Sequence, residues 1–498
     1  MPDPKEKLQD LPPPSGEPLL DLPPLDPIGW APLDTRPFPP GTRPRPRPPI
    51  ELPPIETPPI ERPPVEGTET IFEIIQKWFL RLPLWLRIFL FAVAVLLLIR
   101  LIYKFLKELF GRRPPEVKPP EDLPSQVIPL AIMFNFDPTL PVALNIRRNA
   151  RKEVSVPEWI IEKINPEESP AAYSISASQG HVIIIKVRLI VIPAIDAVIE
   201  VRAIGGGVLG DLTRKDPVTF VKGQTIPEFI PFQLETHTIG SDGIRRSDIT
   251  WRWEFRRSGE SVWNPIGETH HRIYEVLTTP DLPWTQAPYP DRQNPWTDAL
   301  DISCFWAAGA KTPQEVASMV TRAVNAPAGG VRYDMKGGKC KYTSGYQSRP
   351  GTFKCTEYID RIRKGAGSGS SDLVNCSDCS AFISTFANVL GASLSQSVMG
   401  LRFGLNPIIA IGYNNFGFPD WGPRFSYHEV AWWGQGGLNE QICDGCLRTN
   451  SNGPNPPGHA VLPINTVFNN PYRPQLVPPN DIQDCTPMPQ HQKWREVI

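Results

Sequence analysis

This chain has almost no net charge. Its 51 Lys and Arg against 52 Asp and Glu leave −1 at pH 7, with a pI near 6.7. No basic excess exists to draw the whole protein onto nucleic acid. An apolar leader is also missing, because Met1-Pro2-Asp3-Pro4-Lys5-Glu6-Lys7 runs straight into proline clusters. The expectation is therefore of no cleaved secretory signal. Cysteine is absent before Cys304, and all eight fall in the final two-fifths of the chain, so thiol chemistry belongs to that region. Residues 1–67 hold 23 of the 61 prolines and too little apolar surface to build a core.

That first segment reads as a disordered proline-rich tail. It carries a repeat, Ile50-Glu-Leu-Pro-Pro, Ile55-Glu-Thr-Pro-Pro, Ile60-Glu-Arg-Pro-Pro, Val65-Glu, preceded by the basic run Thr42-Arg-Pro-Arg-Pro-Arg-Pro-Pro49. Such sequence stays extended and solvated, as a spacer or as a docking tail for a protein partner. A membrane-anchoring segment follows at 68–110, with a single transmembrane helix at about 84–106. Its centre, Ile88 to Ile99, is free of charge, and about twenty apolar residues suffice to cross a lipid bilayer. Arg87 and Arg100 bound that run, and Trp78, Trp85 and Tyr103 suit the interfaces. Basic residues are denser after the span, which by itself would put the C-terminal side in the cytoplasm. Exporting the long tail without a leader is the greater difficulty, so the expectation is tail inside and C-terminal domains outside.

Residues 111–126, with five prolines, read as a linker. From 127 to 283 the pattern is of strands, and an all-β sandwich domain is expected. Runs at Val127–Phe136, His181–Ile192, Ala197–Arg202, Val218–Val221, Phe229–Leu234 and Thr250–Arg256 supply it, with Gly240-Ser-Asp-Gly and Arg257-Ser-Gly-Glu as turns. Trp251, Trp253 and Trp263 read either as sandwich core or as a stacking platform for sugars. His270 and His271 are neighbours on a strand and point to opposite faces, which argues against a metal pair.

The remaining span, 284–498, reads as an α+β domain. Thr312-Pro-Gln-Glu predicts a helix start with Thr312 as N-cap and Pro313 at N1. The run Lys364-Gly-Ala-Gly-Ser-Gly-Ser-Ser371 is not a phosphate loop, because its lysine opens the run instead of closing it. The densest signal is Asn375-Cys-Ser-Asp-Cys-Ser-Ala-Phe-Ile-Ser-Thr-Phe-Ala-Asn-Val-Leu-Gly391. Phe382, Ile383, Phe386, Val389 and Leu390 fall at helical spacing, Gly391 suits the C′ position, and Asn375 or Ser377 can cap the start. Cys376 or Cys379 then lies in a first helical turn, where free N–H groups favour a thiolate. Downstream stand His428 and Asp444, a base and its orienting acid. The pairs Cys376-x-x-Cys379 and Cys443-x-x-Cys446 offer a rival chemistry, a four-thiolate structural zinc site. Their separation is long for a zinc ribbon, whose gap is about 15–20 residues. Cys340 and Cys355 flank a hairpin-like stretch and could bridge in an oxidising compartment.

The run from Cys376 through Asp378 to Leu390-Gly391 resembles the nucleophile helix of bacterial transglutaminase-like proteins, which belong to the papain-like fold. Their pattern is Cys-x-Asp, an apolar helix and Leu-Gly fifteen residues after the cysteine, then a His and an Asp about sixteen residues apart on successive strands. Cys376, Gly391, His428 and Asp444 fit that spacing, and the resemblance covers about residues 296–475. One departure is that the usual His-x-Trp is His428-x-x-x-Trp432 here. Read as Asp378-Cys379-Ser-Ala-Phe382, the same stretch is similar to papain and the NlpC/P60 peptidases, which makes Cys379 the alternative nucleophile. The resemblance implies a membrane-anchored thiol hydrolase or acyltransferase. It would cleave or exchange amide bonds of a protein or peptidoglycan-like peptide through Cys376, His428 and Asp444, with no cofactor. Two other classes stay open. One is a non-catalytic membrane-anchored adaptor, tethering a larger assembly such as a phage-tail-like injection machine through its tail. The other is a zinc-stabilised binding module.

The anchor is testable. The full chain should stay with membranes through an alkaline carbonate wash, and its release into the supernatant would mean a peripheral association instead.

Overall fold

The computed structural model describes residues 124–137, 142–284, 294–326, 329–345, 351–365, 372–452 and 459–498. The proline-rich tail, the span at 84–106 and most of the linker lie outside the described residues, and among those described no helix is long and apolar enough to cross a membrane. The described residues fall within one compact unit, Arg112–Ile498. It is rich in β-sheet, with helices added in its second half.

Eleven strands form the first part: β1 Gln126–Met133, β2 Trp159–Ile160, β3 Pro170–Ser174, β4 Ile184–Ile192, β5 Ala197–Ile204, β6 Asp211–Thr213, β7 Val218–Val221, β8 Gln224–Thr225, β9 Ile230–Glu235, β10 Arg245–Arg256 and β11 Asn264–Val276. Alternation sets their facing. In β5 every second residue, from Ala197 to Ala203, is buried, as the period-2 pattern requires. Two stacked sheets were the expectation; the strands instead form one sheet whose pairings close a circuit through β4, β8, β7, β5, β6 and β9. The cause is that β4 and β5 outrun any single partner. Strand β4 gives Ile184–Val187 to β9 and Ile190 to β8, while β5 gives Ala197–Ile199 to β7 and Ala203 to β6. The interior is aromatic. Trp251 and Trp253 are fully buried and donate their indole N–H groups to Gly210 O and Thr269 Oγ1, at 2.9 and 3.0 Å. Trp263 lies between the guanidinium groups of Arg202 and Arg256, 4.0 and 4.3 Å from its ring. These placements leave no open row of indoles for a sugar. His271 is buried between Ser169 and Thr269, whereas His270 turns to Thr250. Burial drives the His271 pKa down to about 3.

The β-rich part joins the helical part directly. Leu277 N–H donates to Leu390 O, the Trp284 indole donates to Thr385 O at 2.8 Å, and Asn388 Nδ2 donates to Leu282 O at 2.7 Å. All three contacts end on the last turn of the helix Cys376–Asn388 or just beyond it. Gly391 turns there with φ +96°, and a Cβ would stand 2.6 Å from Thr278 Oγ1, so only glycine passes. The helix Pro313–Asn325 begins with Thr312 and Glu315 in a reciprocal capping box.

Every residue of the helix Cys376–Asn388 is buried. It packs against an antiparallel sheet ordered Leu394–Met399, His428–Trp433, Gln441–Cys443 and Ile464–Val467. The last residues of the chain return to this sheet. Gln396 and Lys493 exchange backbone hydrogen bonds, and Glu496–Val497 pairs in parallel with Thr352–Phe353. That return seats Arg495, fully buried, on the carboxylate of Glu429 at 2.5 and 3.1 Å, with Lys493 Nζ 3.3 Å away. Arg495 also donates to Ser344 O, Gly345 O and Gln396 Oε1, so its buried charge is matched on several sides.

Candidate functional site

The start of the helix Cys376–Asn388 is built from two side chains that cap each other. Asn375 Oδ1 accepts from Ser377 N and Asp378 N at 3.0 and 3.2 Å, and Asp378 Oδ2 accepts from Asn375 N. This is the capping box expected of such a start, with Cys376 at N1 and Cys379 at N4. Asp378 does more than cap. Its carboxylate also accepts Lys341 N, Tyr342 N, Thr343 N and Thr343 Oγ1, between 2.8 and 3.0 Å. The segment 341–343 is thereby fastened to the helix start. Burial raises the Asp378 pKa even against those donors.

On the neighbouring strand His428 is fully buried, its ring stacked on Phe425 at 5.3 Å. Its Nε2 lies 2.9 Å from Asp444 Oδ2. A carboxylate accepts, so Nε2 carries a proton toward Asp444. Among the described residues Nδ1 has no hydrogen-bond partner. Asp444 is itself held on four sides: Cys446 N and Leu447 N donate to Oδ1 at 2.8 and 3.2 Å, and Tyr472 Oη joins His428 on Oδ2 at 2.8 Å.

The cysteines divide. Cys376 is 4% exposed, on the helix that packs against the strand of His428 and Glu429. No hydrogen bond joins His428 to either candidate nucleophile among the described residues. Cys379, one turn further along, and Cys446 are both buried, and burial raises the Cys446 thiol well above its ordinary pKa. Cys443 faces away, donating to Asn465 Oδ1 at 3.3 Å, and burial pushes its pKa up to about 11. The four thiols of the two C-x-x-C pairs therefore do not converge, and no three His, Cys, Asp or Glu side chains among the described residues are grouped to hold a metal ion. The physical reason is strand alternation, since Cys443 and Asp444 point to opposite faces. Cys340 and Cys355 are both free; Cys340 accepts from Asn375 Nδ2 at 3.1 Å, and Cys355 is buried at the start of its own helix.

The expectation of a thiolate-favouring helix start needs correction. Burial pushes the Cys376 thiol well above its ordinary pKa, and the nearby Glu429 carboxylate adds to the rise. Burial alone would also raise Glu429, but Arg495 beside it holds that carboxyl below its usual range. The Cys376 thiol at rest is thus enclosed and held in its neutral form. Three open cavities, of about 340, 300 and 220 Å³, are lined by other residues.

Glu429, Arg495 and Tyr472 escaped the sequence reading. Glu429 stands next to His428, which was a usable signal. Arg495 and Tyr472 arrive from distant chain with none.

No protein-family profile matches this chain. No curated protein matches it. Among solved structures it is similar to the transglutaminase of red sea bream, with a TM-score of 0.31 and 9% sequence identity over 57% of this chain and 50% of that one. The chain thus spans about half the length of that enzyme.

Removing the Glu429 charge should ease ionisation of Cys376. In Glu429→Gln the pH midpoint for iodoacetamide labelling of Cys376, followed by peptide mass mapping, should fall. An unchanged midpoint would mean that the carboxylate does not act on the thiol.

Proposed function

We propose that this chain is a membrane-anchored thiol acyltransferase or hydrolase of transglutaminase-like type, with Cys376 as nucleophile, His428 as base and Asp444 as the group that orients it. The single observation that carries the reading is the His428–Asp444 pair, buried and 2.9 Å apart, with His428 on the strand that packs against the cysteine helix and its Nδ1 lacking a partner among the described residues. A buried polar nitrogen without a partner is costly, and a catalytic role is one physical reason for keeping it.

The chemistry follows from the atoms present. His428 Nδ1 takes the thiol proton as the Cys376 sulfur attacks an amide carbonyl, giving a tetrahedral oxyanion. The N1 amide of the helix has no intrahelical acceptor and can donate to that oxygen. The imidazolium then gives its proton to the leaving amine as the C–N bond breaks, and a thioester remains on Cys376. Water or a second amine resolves the thioester, with His428 again accepting and returning the proton. Asp444, fixed by Tyr472 and two backbone amides, steadies the imidazolium while it exists. The high resting pKa of the thiol makes His428 necessary, since few thiolates stand ready at neutral pH. Protein and peptidoglycan-like peptides are the proposed substrate classes, and the proline-rich tail is the proposed tether for a protein partner. The proposed location is a single-pass membrane protein with these residues outside the cytoplasm.

A second reading has its own support. Cys376, His428 and Asp444 are all nearly inaccessible, 4%, 0% and 1% exposed, as they would be in an adaptor that keeps the fold and has given up the reaction.

The two readings separate by mapped labelling. For an enzyme, His428→Ala should slow iodoacetamide labelling of Cys376 at neutral pH by about 10²–10⁴-fold. Asp444→Asn should slow it less, and Cys376→Ala should not transfer fast labelling to Cys379. Equal, slow labelling of Cys376 in wild type and His428→Ala would favour the adaptor.

A further inference from the structure

The cavity of about 340 Å³ is lined by Arg322, Asn325, Ala326, Arg448, Ala460 and Leu462, and by none of Cys376, His428 and Asp444. Helical spacing explains one wall. Positions three and four apart share a face, so Arg322, Asn325 and Ala326 come together at the end of the helix Pro313–Asn325. The facing wall is a strand pair, Leu447–Asn450 against Ala460–Val461, with Asn450 opposite Ala460. Asn325, only 7% exposed, joins the walls. Its Oδ1 accepts from Arg448 Nε and Nη2 at 3.0 and 2.7 Å, and its Nδ2 donates to Gly445 O at 2.9 Å, on the turn after Asp444. A neutral amide therefore fixes the Arg448 fork and leaves its charge in place. Arg322 adds a second positive charge, and no acidic side chain stands among the lining residues. The helix end opposes them with only about half an elementary charge against two full ones. Both arginines are exposed, so a solute reaches them.

We infer that this cavity binds an oxyanion, a carboxylate or phosphate group carried on a small apolar body. Guanidinium forks match paired oxygens of either group. Ala326, Ala460 and Leu462 supply the apolar surface for the body. Arg448 is oriented before the anion arrives, which lowers the ordering cost of binding. The inference stands apart from the acyl-transfer reading, since no residue of that reading lines the cavity.

The test is calorimetric titration of the full chain in non-ionic detergent with phenyl phosphate, phenylacetate and the uncharged 2-phenylethanol, each corrected for titration into detergent alone. The expected result is saturable one-to-one binding of at least one anion, a Tm that rises with its concentration, and no binding of the alcohol. The tighter of the two anions identifies the head group. Arg322→Gln and Arg448→Gln should each weaken binding by about tenfold or more. Ala460→Glu, which adds a carboxylate to the lining and keeps both arginines, should abolish it, and it serves as the test if Arg448→Gln fails to fold. Absence of saturable binding by either anion overturns the inference. So does equal binding of the alcohol, or anion binding unaltered in Arg322→Gln and Ala460→Glu.

Discussion

A buried carboxylate in the first turn of a helix, Asp378, accepts hydrogen bonds from four backbone amides and one hydroxyl, and the position of Cys376 follows from it. A helix start leaves its first amides unpaired. Here Asn375 answers two of them, and Asp378 answers Asn375 in return while drawing in residues 341–343. The helix end is fixed as firmly by Leu277, Trp284 and Asn388. With both ends held, the helix can sit wholly buried on the sheet, and the sheet then sets His428 alongside it. Loss of the Asp378 carboxylate would release the helix start, the adjoining segment and the thiol together.

Charge near the thiol is arranged in a second tier. Burial and then the Glu429 carboxylate raise the Cys376 pKa, the Glu429 backbone opposes the rise, and Arg495 and Lys493 hold Glu429 below its usual range. The C-terminal residues are thus part of the site's electrostatics, although nothing in their order marks them. A thiol kept neutral and enclosed is protected from stray oxidants. In the proposed reaction it becomes a nucleophile only as His428 takes its proton.

Local signals in the sequence were reliable where the cause was local. The cap Thr312, Asn375 as one of two candidate caps, the C′ glycine Gly391 and the strand runs that became β5 and β10 each rest on a few neighbouring residues. His428 and Asp444 were paired by the resemblance to the transglutaminase-like pattern, and they do meet. What escaped depends on distant chain. Arg495 reaches Glu429 only because the last strand folds back onto Thr352–Phe353, and Tyr472 reaches Asp444 across 28 positions. The divided fate of the two C-x-x-C pairs was equally hidden, since spacing alone does not reveal that Cys443 turns to Asn465. The closed circuit of the first sheet was missed for a related reason: alternation reports which face of a strand is buried, not how many partners a long strand serves.

The central claim is that Cys376 can carry an acyl group with help from His428. Incubation of the full chain with p-nitrophenyl acetate, followed by acid quench and peptide mass mapping, measures this directly. The account predicts an acetyl adduct on Cys376 that hydroxylamine removes, as a thioester requires, and that fails to form in His428→Ala. An adduct confined to Cys340 or Cys379, or one that forms on Cys376 equally well without His428, would contradict it.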